Sequence, residues 1–131
     1  MYSMRYYEGK NGYEMKHEEL KKVFHIKVEG FFNETIGMTF LKDYNSGLIK
    51  FKATETNLII ESQNLLASSQ SMLDIMNKCY ELYNSSNFKK MIIVLPDSPT
   101  AAMQAKRKAQ DAGYTGEFAQ SLDEAYKLIN T

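Results

Sequence analysis

Apolar, strand-like segments alternate with helix-like segments along most of this chain. The strand-like segments are "VFHIKVEG", "NLIIES", "KKMIIVLP" and "YTGEFAQ". The first alternates apolar with polar side chains, as a half-buried strand does. The next two are short continuous apolar runs, which are typical of strands covered on both faces. Because a helix-like segment follows each of the four, the pattern favours an α/β domain with a mixed or mostly parallel sheet.

The helix-like segments carry start signals and apolar faces. Asn33, Ser98 and Ser121 stand where N-cap residues are expected, and Ser121 opens a capping box with Glu124. The clearest apolar face recurs at spacings of three and four and consists of Met72, Ile75, Met76, Cys79, Tyr80 and Tyr83. We therefore predict a sheet of four to five strands in the order βαβαβαβα, with about four helices mainly on one face.

Residues 1–21 stand apart from this alternation. They are rich in tyrosine and show no sustained period of 2 or 3.6. "GKNG" predicts a turn, on either side of which Met4–Tyr7 can pair with "YEMKH" as a hairpin. We divide the chain into an N-terminal extension, 1–21, that forms a hairpin or an added strand, and a domain, 22–131. We expect its tyrosines to pack on the domain or on another copy in a homodimer; the alternative is a recognition surface.

Charge and cysteine content narrow the class of protein. The chain has 131 residues with 16 basic and 16 acidic side chains, so it lacks the positive balance typical of nucleic-acid binding. A single cysteine, Cys79, leaves no internal disulfide and no thiolate zinc cluster. The start of the sequence has no apolar core of a signal peptide, and no window approaches the roughly 20 apolar residues of a membrane span. We expect a cytoplasmic protein that does not bind nucleic acid and has no membrane span.

Residues for catalysis are sparse. His17 and His25 are the only imidazoles, and no HExxH, GxSxG, Walker or GxGxxG motif occurs. An enzyme would need a polar pocket that collects His25 with Asp97 or Glu61. We expect no catalytic residues, no metal and no cofactor.

The loop after the second strand concentrates hydroxyl groups. "LIIESQNLLASSQSML" places Ser68, Ser69 and Ser71 together at the start of the clearest helix. The simplest explanation is that one of them caps this helix. Carboxyl ends of parallel strands are also where α/β sheets place their working loops, so the cluster is a candidate site.

The same stretch resembles the STAS family, the sulphate-transporter and anti-sigma-factor-antagonist domain. "VFHIKVEGFFNETIGMTFL", "LIIESQNLLASSQSML" and "KKMIIVLP" follow the order and spacing of that family's elements, and the resemblance covers about residues 22–130. "SQSML", residues 69–73, falls on the family's Asp-Ser-Ser-Gly-Leu motif. Ser69 replaces the family's Asp, Gln70 its first Ser and Met72 its Gly.

The resemblance implies a regulatory role in a bacterial cytoplasm. Regulatory members bind protein partners, and a kinase phosphorylates the second serine of the motif, whose position is taken here by Ser71. We therefore predict a non-catalytic interaction module that resembles anti-sigma factor antagonists. Its partner-binding residues would be Ser68, Ser69, Gln70, Ser71 and Met72.

Methionine suggests the alternative function. The chain has eight Met residues, and a face that contains Met38, Met72 and Met76 could adapt to a small apolar ligand or lipid. The structural explanation is that these side chains fill the core. A protein partner is the first prediction and apolar ligand binding the second.

Overall fold

The computed structural model describes residues 2–131. The elements are β1 (Ser3–Glu8), β2 (Asn11–Glu18), β3 (Val23–Glu29), α1 (Glu34–Leu48), β4 (Asn57–Glu61), α2 (Gln70–Ser85), β5 (Met91–Val94), α3 (Pro99–Asp111), β6 (Glu117–Ala119) and α4 (Leu122–Ile129). A single 3-10 turn, Ala53–Glu55, precedes β4. The predicted α/β class, with four helices mainly on one face of a mixed sheet, is confirmed.

The six strands lie in one sheet in sequence order. β1, β2 and β3 are antiparallel, with Tyr6 opposite Tyr13 and Met15 opposite Ile26. β3, β4, β5 and β6 are parallel, and Ile26 lies beside Ile60. The sheet has six strands rather than four or five because residues of the N-terminal extension form both β1 and β2.

The order of the strands in the sheet determines which face of the sheet each helix covers. Each βαβ connection from β3 to β6 steps the same way across the sheet, and such crossovers are right-handed, so their helices lie on one face. α1 and α2 cover the larger core there, and α3 reaches it through Ala109. α4 follows the last strand and makes no crossover. It packs on the opposite face, where Ala125 meets Ile59 and Ile92.

The N-terminal hairpin is part of the larger core. Tyr13 and Met15 of β2 are fully buried, together with Phe24 and Ile26 of β3. Tyr13 stands edge-on to Phe40 of α1, with ring centres 5.2 Å apart. Since alternate residues of a strand face opposite sides, the hairpin places Met4, Tyr6, Tyr13 and Met15 under α1 and leaves Arg5, Glu14 and Lys16 on the other face.

Three of the four helices begin with the predicted side-chain cap. Asn33 Oδ1 accepts a hydrogen bond from the Ile36 N–H, Ser98 Oγ from the Ala101 N–H and Ser121 Oγ from the Glu124 N–H, at 2.8, 3.3 and 3.1 Å. Ser69, the N-cap residue of α2, makes no such bond. Within residues 2–131, every helix falls short of the length and hydrophobicity that crossing a membrane would require.

Candidate functional site

The serine loop leaves the carboxyl end of an inner strand. β4 lies between β3 and β5, and its Ile59 is fully buried. At the strand end the Ser62 hydroxyl donates to the Val94 carbonyl at 2.5 Å. Further along, Gln104 of α3 holds both peptide groups of Ser68: the Ser68 N–H donates to Oε1 at 2.7 Å, and its carbonyl accepts from Nε2 at 3.0 Å. α3 therefore fixes the loop just before α2 begins.

The five residues predicted to bind a partner divide into two groups. Ser69, Gln70 and Ser71 are exposed, and the Oγ atoms of Ser69 and Ser71 are 3.3 Å apart. Ser68 and Met72 are buried, with exposed fractions of 9% and 4%. The structure thus brings three of the five to the surface and places the other two beneath them.

The capping explanation of the serine cluster is wrong. Ser69 occupies the N-cap position with an extended backbone, but its side chain accepts no hydrogen bond from the helix. The Ser71 hydroxyl contacts only Ser69, and the Ser68 hydroxyl is buried without a partner in the described structure. The N–H groups in the first turn of α2 therefore have no side-chain cap, and together with the helix dipole they favour a negative charge there.

Sequence reasoning missed two exposed apolar neighbours of this loop. Phe31 and Leu66 are 41% and 53% exposed. A parallel bridge between Gly30 and Leu65, with a 2.9 Å hydrogen bond from the Leu66 N–H to the Gly30 carbonyl, holds the two chain segments side by side. The available signal was the apolar pair that follows each of two neighbouring strands, "FF" and "LL".

These side chains define a candidate site, which we call the docking surface. It consists of Phe31, Leu66, Ser69, Gln70 and Ser71. Two apolar and three neutral polar side chains are thus exposed in the segments that follow β3 and β4, at the carboxyl edge of the parallel strands.

A small pocket of about 50 Å³ lies beneath the loop. Met72 and Met76 line it, whereas Met38 lies outside it and is 54% exposed. The structure therefore brings together two of the three methionines predicted to bind an apolar ligand. The remaining walls are mostly apolar and come from Val28, Phe32, Gly37, Phe40, Ile60, Ser62, Leu65, Ser68, Cys79, Tyr80 and Tyr83.

No side chain that lines this pocket titrates near neutral pH. Burial raises the pKa of the Cys79 thiol to about 12. Burial also raises the pKa of the phenols of Tyr80 and Tyr83 above its ordinary value. Among the described residues, none that lines the pocket carries a carboxylate, an imidazole or an amine.

The histidine considered for catalysis lies on the other face of the sheet. His25 Nε2 is 2.8 Å from Glu61 Oε1 on the neighbouring strand. His25 shares a face with Val23, which belongs to the core under α4. Neither His25 nor Glu61 lines the pocket beside the serine loop, and Asp97 does not line it either.

Comparison with known proteins finds a similar fold. No protein-family model matches the chain, and no curated protein matches it in sequence. Among solved structures, the crystal structure of apo-SiaC from Pseudomonas aeruginosa is similar over 91% of this chain and 98% of that chain. The TM-score is 0.61 and the sequence identity is 12%. The two chains therefore share a fold.

Proposed function

We propose that this chain is a non-catalytic regulatory module of a bacterial cytoplasm that binds a protein partner through the docking surface. The observation that carries the proposal is the exposure of Ser69, Gln70 and Ser71 at a helix start without a side-chain cap. Phe31 and Leu66 are exposed at the same edge of the sheet. The resemblance of "SQSML" to the STAS motif supports it and suggests a role like that of an anti-sigma factor antagonist. The shared fold with SiaC is consistent with this proposal.

Phosphorylation of Ser71 would regulate this binding. Ser71 is the second residue of α2 and is exposed, so a kinase can reach its hydroxyl. A phosphate adds nearly two negative charges, which the helix start favours. No Lys or Arg occurs between residues 53 and 77 to neutralise that charge, and Asp74 adds another negative charge one turn later. The docking surface would change from neutral to acidic, which would alter its affinity for a partner.

Substitution of Ser71 tests this proposal. The wild-type chain would first capture partners from a lysate of its native host, and the same captures would then use S71D and S71A. We expect S71D to change recovery of a specific partner by about tenfold, equivalent to about 1.4 kcal/mol, while S71A retains it. S85D, with the same charge change at the exposed far end of α2, is the matched control. Unchanged binding by both Ser71 variants would refute the docking role.

A second candidate function is binding of a small apolar molecule in the pocket. The unpartnered hydroxyl of Ser68 at the pocket wall favours it, because a polar head group could satisfy that hydroxyl. A volume of about 50 Å³ is too small for an acyl chain unless Met72 and Met76 adopt other rotamers. Thermal shifts in the presence of short-chain fatty acids would distinguish this function from partner docking.

A further inference from the structure

β1 forms an edge of the sheet whose outward peptide groups can be assigned. Glu8 pairs with Asn11 across a two-residue turn in which Gly9 has a φ of 65°. In such hairpins the two residues next to the turn form a hydrogen-bonded pair. Along the strands, hydrogen-bonded pairs then alternate with pairs that are not hydrogen-bonded. In agreement, the Tyr2 carbonyl accepts from the His17 N–H at 2.9 Å. Even-numbered residues of β1 therefore bond to β2, and the peptide groups of Ser3, Arg5 and Tyr7 point away from the sheet.

This edge has one of the usual protections against pairing with another strand, the charged side chain of Arg5, and lacks the others. β1 has six residues, no proline and a continuous register with β2, so no bulge interrupts it. The opposite edge is β6, which has only three residues. Ser3 and Arg5 are exposed, and Met4, Tyr6 and Tyr7 are partly exposed. β1 is thus a long, regular strand with unpaired donors and acceptors.

We propose that β1 pairs antiparallel with β1 of a second copy of this chain, about a two-fold axis at Tyr6. Outward peptide groups pair only when odd-numbered residues oppose odd-numbered residues. A two-fold axis at Arg5 satisfies this condition, but it places two guanidinium groups directly opposite each other, which is destabilising. An axis at Met4 leaves Tyr7 and Glu8 beyond the opposing strand.

The axis at Tyr6 places no two like charges directly opposite each other. Arg5 then lies opposite Tyr7 of the second copy, and the two residues exchange both peptide hydrogen bonds. Within one chain the Arg5 guanidinium already lies 4.7 Å from the centre of the Tyr7 ring. The Tyr7 hydroxyl also donates to Glu29 of β3, and the Arg5 guanidinium lies 3.8 Å from Glu14 of β2. Both side chains therefore lean over β2 and leave the outward peptide groups of β1 open to the second copy. On the other face of the sheet, the two Tyr6 rings lie side by side.

This pairing is independent of the docking surface. The serines of the docking surface follow β4, which is three strands from β1, or roughly 14 Å across the sheet. Phe31 follows β3, which is two strands from β1, and its N–H donates to Asn11 beside the hairpin turn. The dimer would therefore leave the serines of both docking surfaces free. A variant that loses the dimer should still bind the partner. A Ser71 variant that loses the partner should still form the dimer.

Cysteine scanning identifies which residues of the two β1 strands lie opposite each other. Cys79 is buried, so a single introduced thiol can be followed. The residue on the two-fold axis lies opposite its own copy, so a cysteine there can form a disulfide across the dimer. We therefore test the three possible axes with Met4→Cys, Arg5→Cys and Tyr6→Cys. With the axis at Tyr6, the two Tyr6 Cα atoms are about 4.5 Å apart, within disulfide range. The two Arg5 Cα atoms are about 8 Å apart, which is too far.

We expect Tyr6→Cys to form a covalent dimer at least ten times faster than Met4→Cys and Arg5→Cys under mild oxidation, on non-reducing gels. Faster cross-linking of either other variant would overturn the axis at Tyr6. Circular dichroism checks that each variant is folded.

Proline substitution gives a second, independent measurement. Arg5→Pro removes an outward N–H without affecting a β1–β2 hydrogen bond, whereas Arg5→Ala removes the same side chain and keeps the N–H. In sedimentation equilibrium we expect the wild-type chain to dimerise with rising concentration. Arg5→Pro should weaken the dimer at least tenfold more than Arg5→Ala. A wild-type chain that stays monomeric to millimolar concentration, or equal effects of the two substitutions, would overturn the proposal.

Discussion

At the scale of single residues, Asp43 shows how the N-terminal hairpin is held on α1. This carboxylate is buried in α1 and accepts a hydrogen bond from the Tyr13 phenol at 2.5 Å. Its main-chain carbonyl accepts a second bond, from the Tyr2 phenol, at 3.3 Å. Burial and the hydrogen bond to Asp43 raise the pKa of Tyr13, so the phenol remains a donor at any physiological pH. The hairpin therefore satisfies a polar group that the helix buries.

Replacement of Tyr13 by Phe should destabilise the protein by about 1–3 kcal/mol, because the buried carboxylate of Asp43 loses its donor. Urea unfolding monitored by circular dichroism measures the change. Tyr6→Phe is the matched control, since the Tyr6 hydroxyl bonds to Glu8 in a more exposed position, and its loss should cost much less. An equal loss of unfolding free energy in the two variants would show that the Tyr13–Asp43 hydrogen bond stabilises the protein no more than the exposed Tyr6–Glu8 bond does.

At the scale of elements, the start of α2 differs from the starts of the other helices. α1, α3 and α4 each receive a side-chain cap within three residues. α2 receives none, and Gln104 of α3 instead fixes the residue that precedes its N-cap. The hydroxyls of Ser69 and Ser71 are therefore not needed to begin the helix and are available for another contact.

Alanine substitution at two helix starts tests this difference. Ser121→Ala should cost about 1 kcal/mol because it removes the capping bond to the Glu124 N–H. Ser69→Ala should cost only a few tenths of a kcal/mol, since no capping bond is lost. Urea unfolding of both variants gives the comparison. A loss of about 1 kcal/mol in Ser69→Ala would mean that its hydroxyl caps α2 in solution.

At the scale of the whole molecule, the hairpin and the parallel strands share one core. Tyr13 and Met15 are fully buried against residues of β3 and α1. β3 would become the edge of the sheet without them, and α1 would lose the part of the core that Tyr13 and Met15 fill. The fragment 22–131 is therefore expected to lack part of its own core.

Deletion of residues 1–21 should abolish cooperative folding. Replacement of a single large core side chain by alanine costs about 3–5 kcal/mol, against a typical total of 5–15 kcal/mol. The fragment 22–131 should therefore bind a hydrophobic dye and unfold without a sharp transition. Leu20→Ser, in a fully exposed side chain, is the control and should unfold like the wild type. A cooperative unfolding transition in the fragment would show that residues 22–131 fold without the hairpin.

The sequence by itself determined the elements from β3 to α4 and the capped starts of α1, α3 and α4. Strand periodicity and the caps at Asn33, Ser98 and Ser121 act between residues at most a few positions apart, so they can be read along the chain. The fold class followed from the order of those elements. The position of the serine loop at the carboxyl end of an inner strand followed in the same way.

Only the tertiary structure decided which of those residues are exposed. Ser68 is buried and Ser71 is exposed although they are three positions apart, because Gln104, 36 positions away, holds Ser68 against α3. The proximity of Leu66 to Phe31 depends on a bridge between two strand ends. α4 lies on the second face because no further strand follows it. These outcomes depend on contacts between residues distant in sequence, for which the local pattern has no signal.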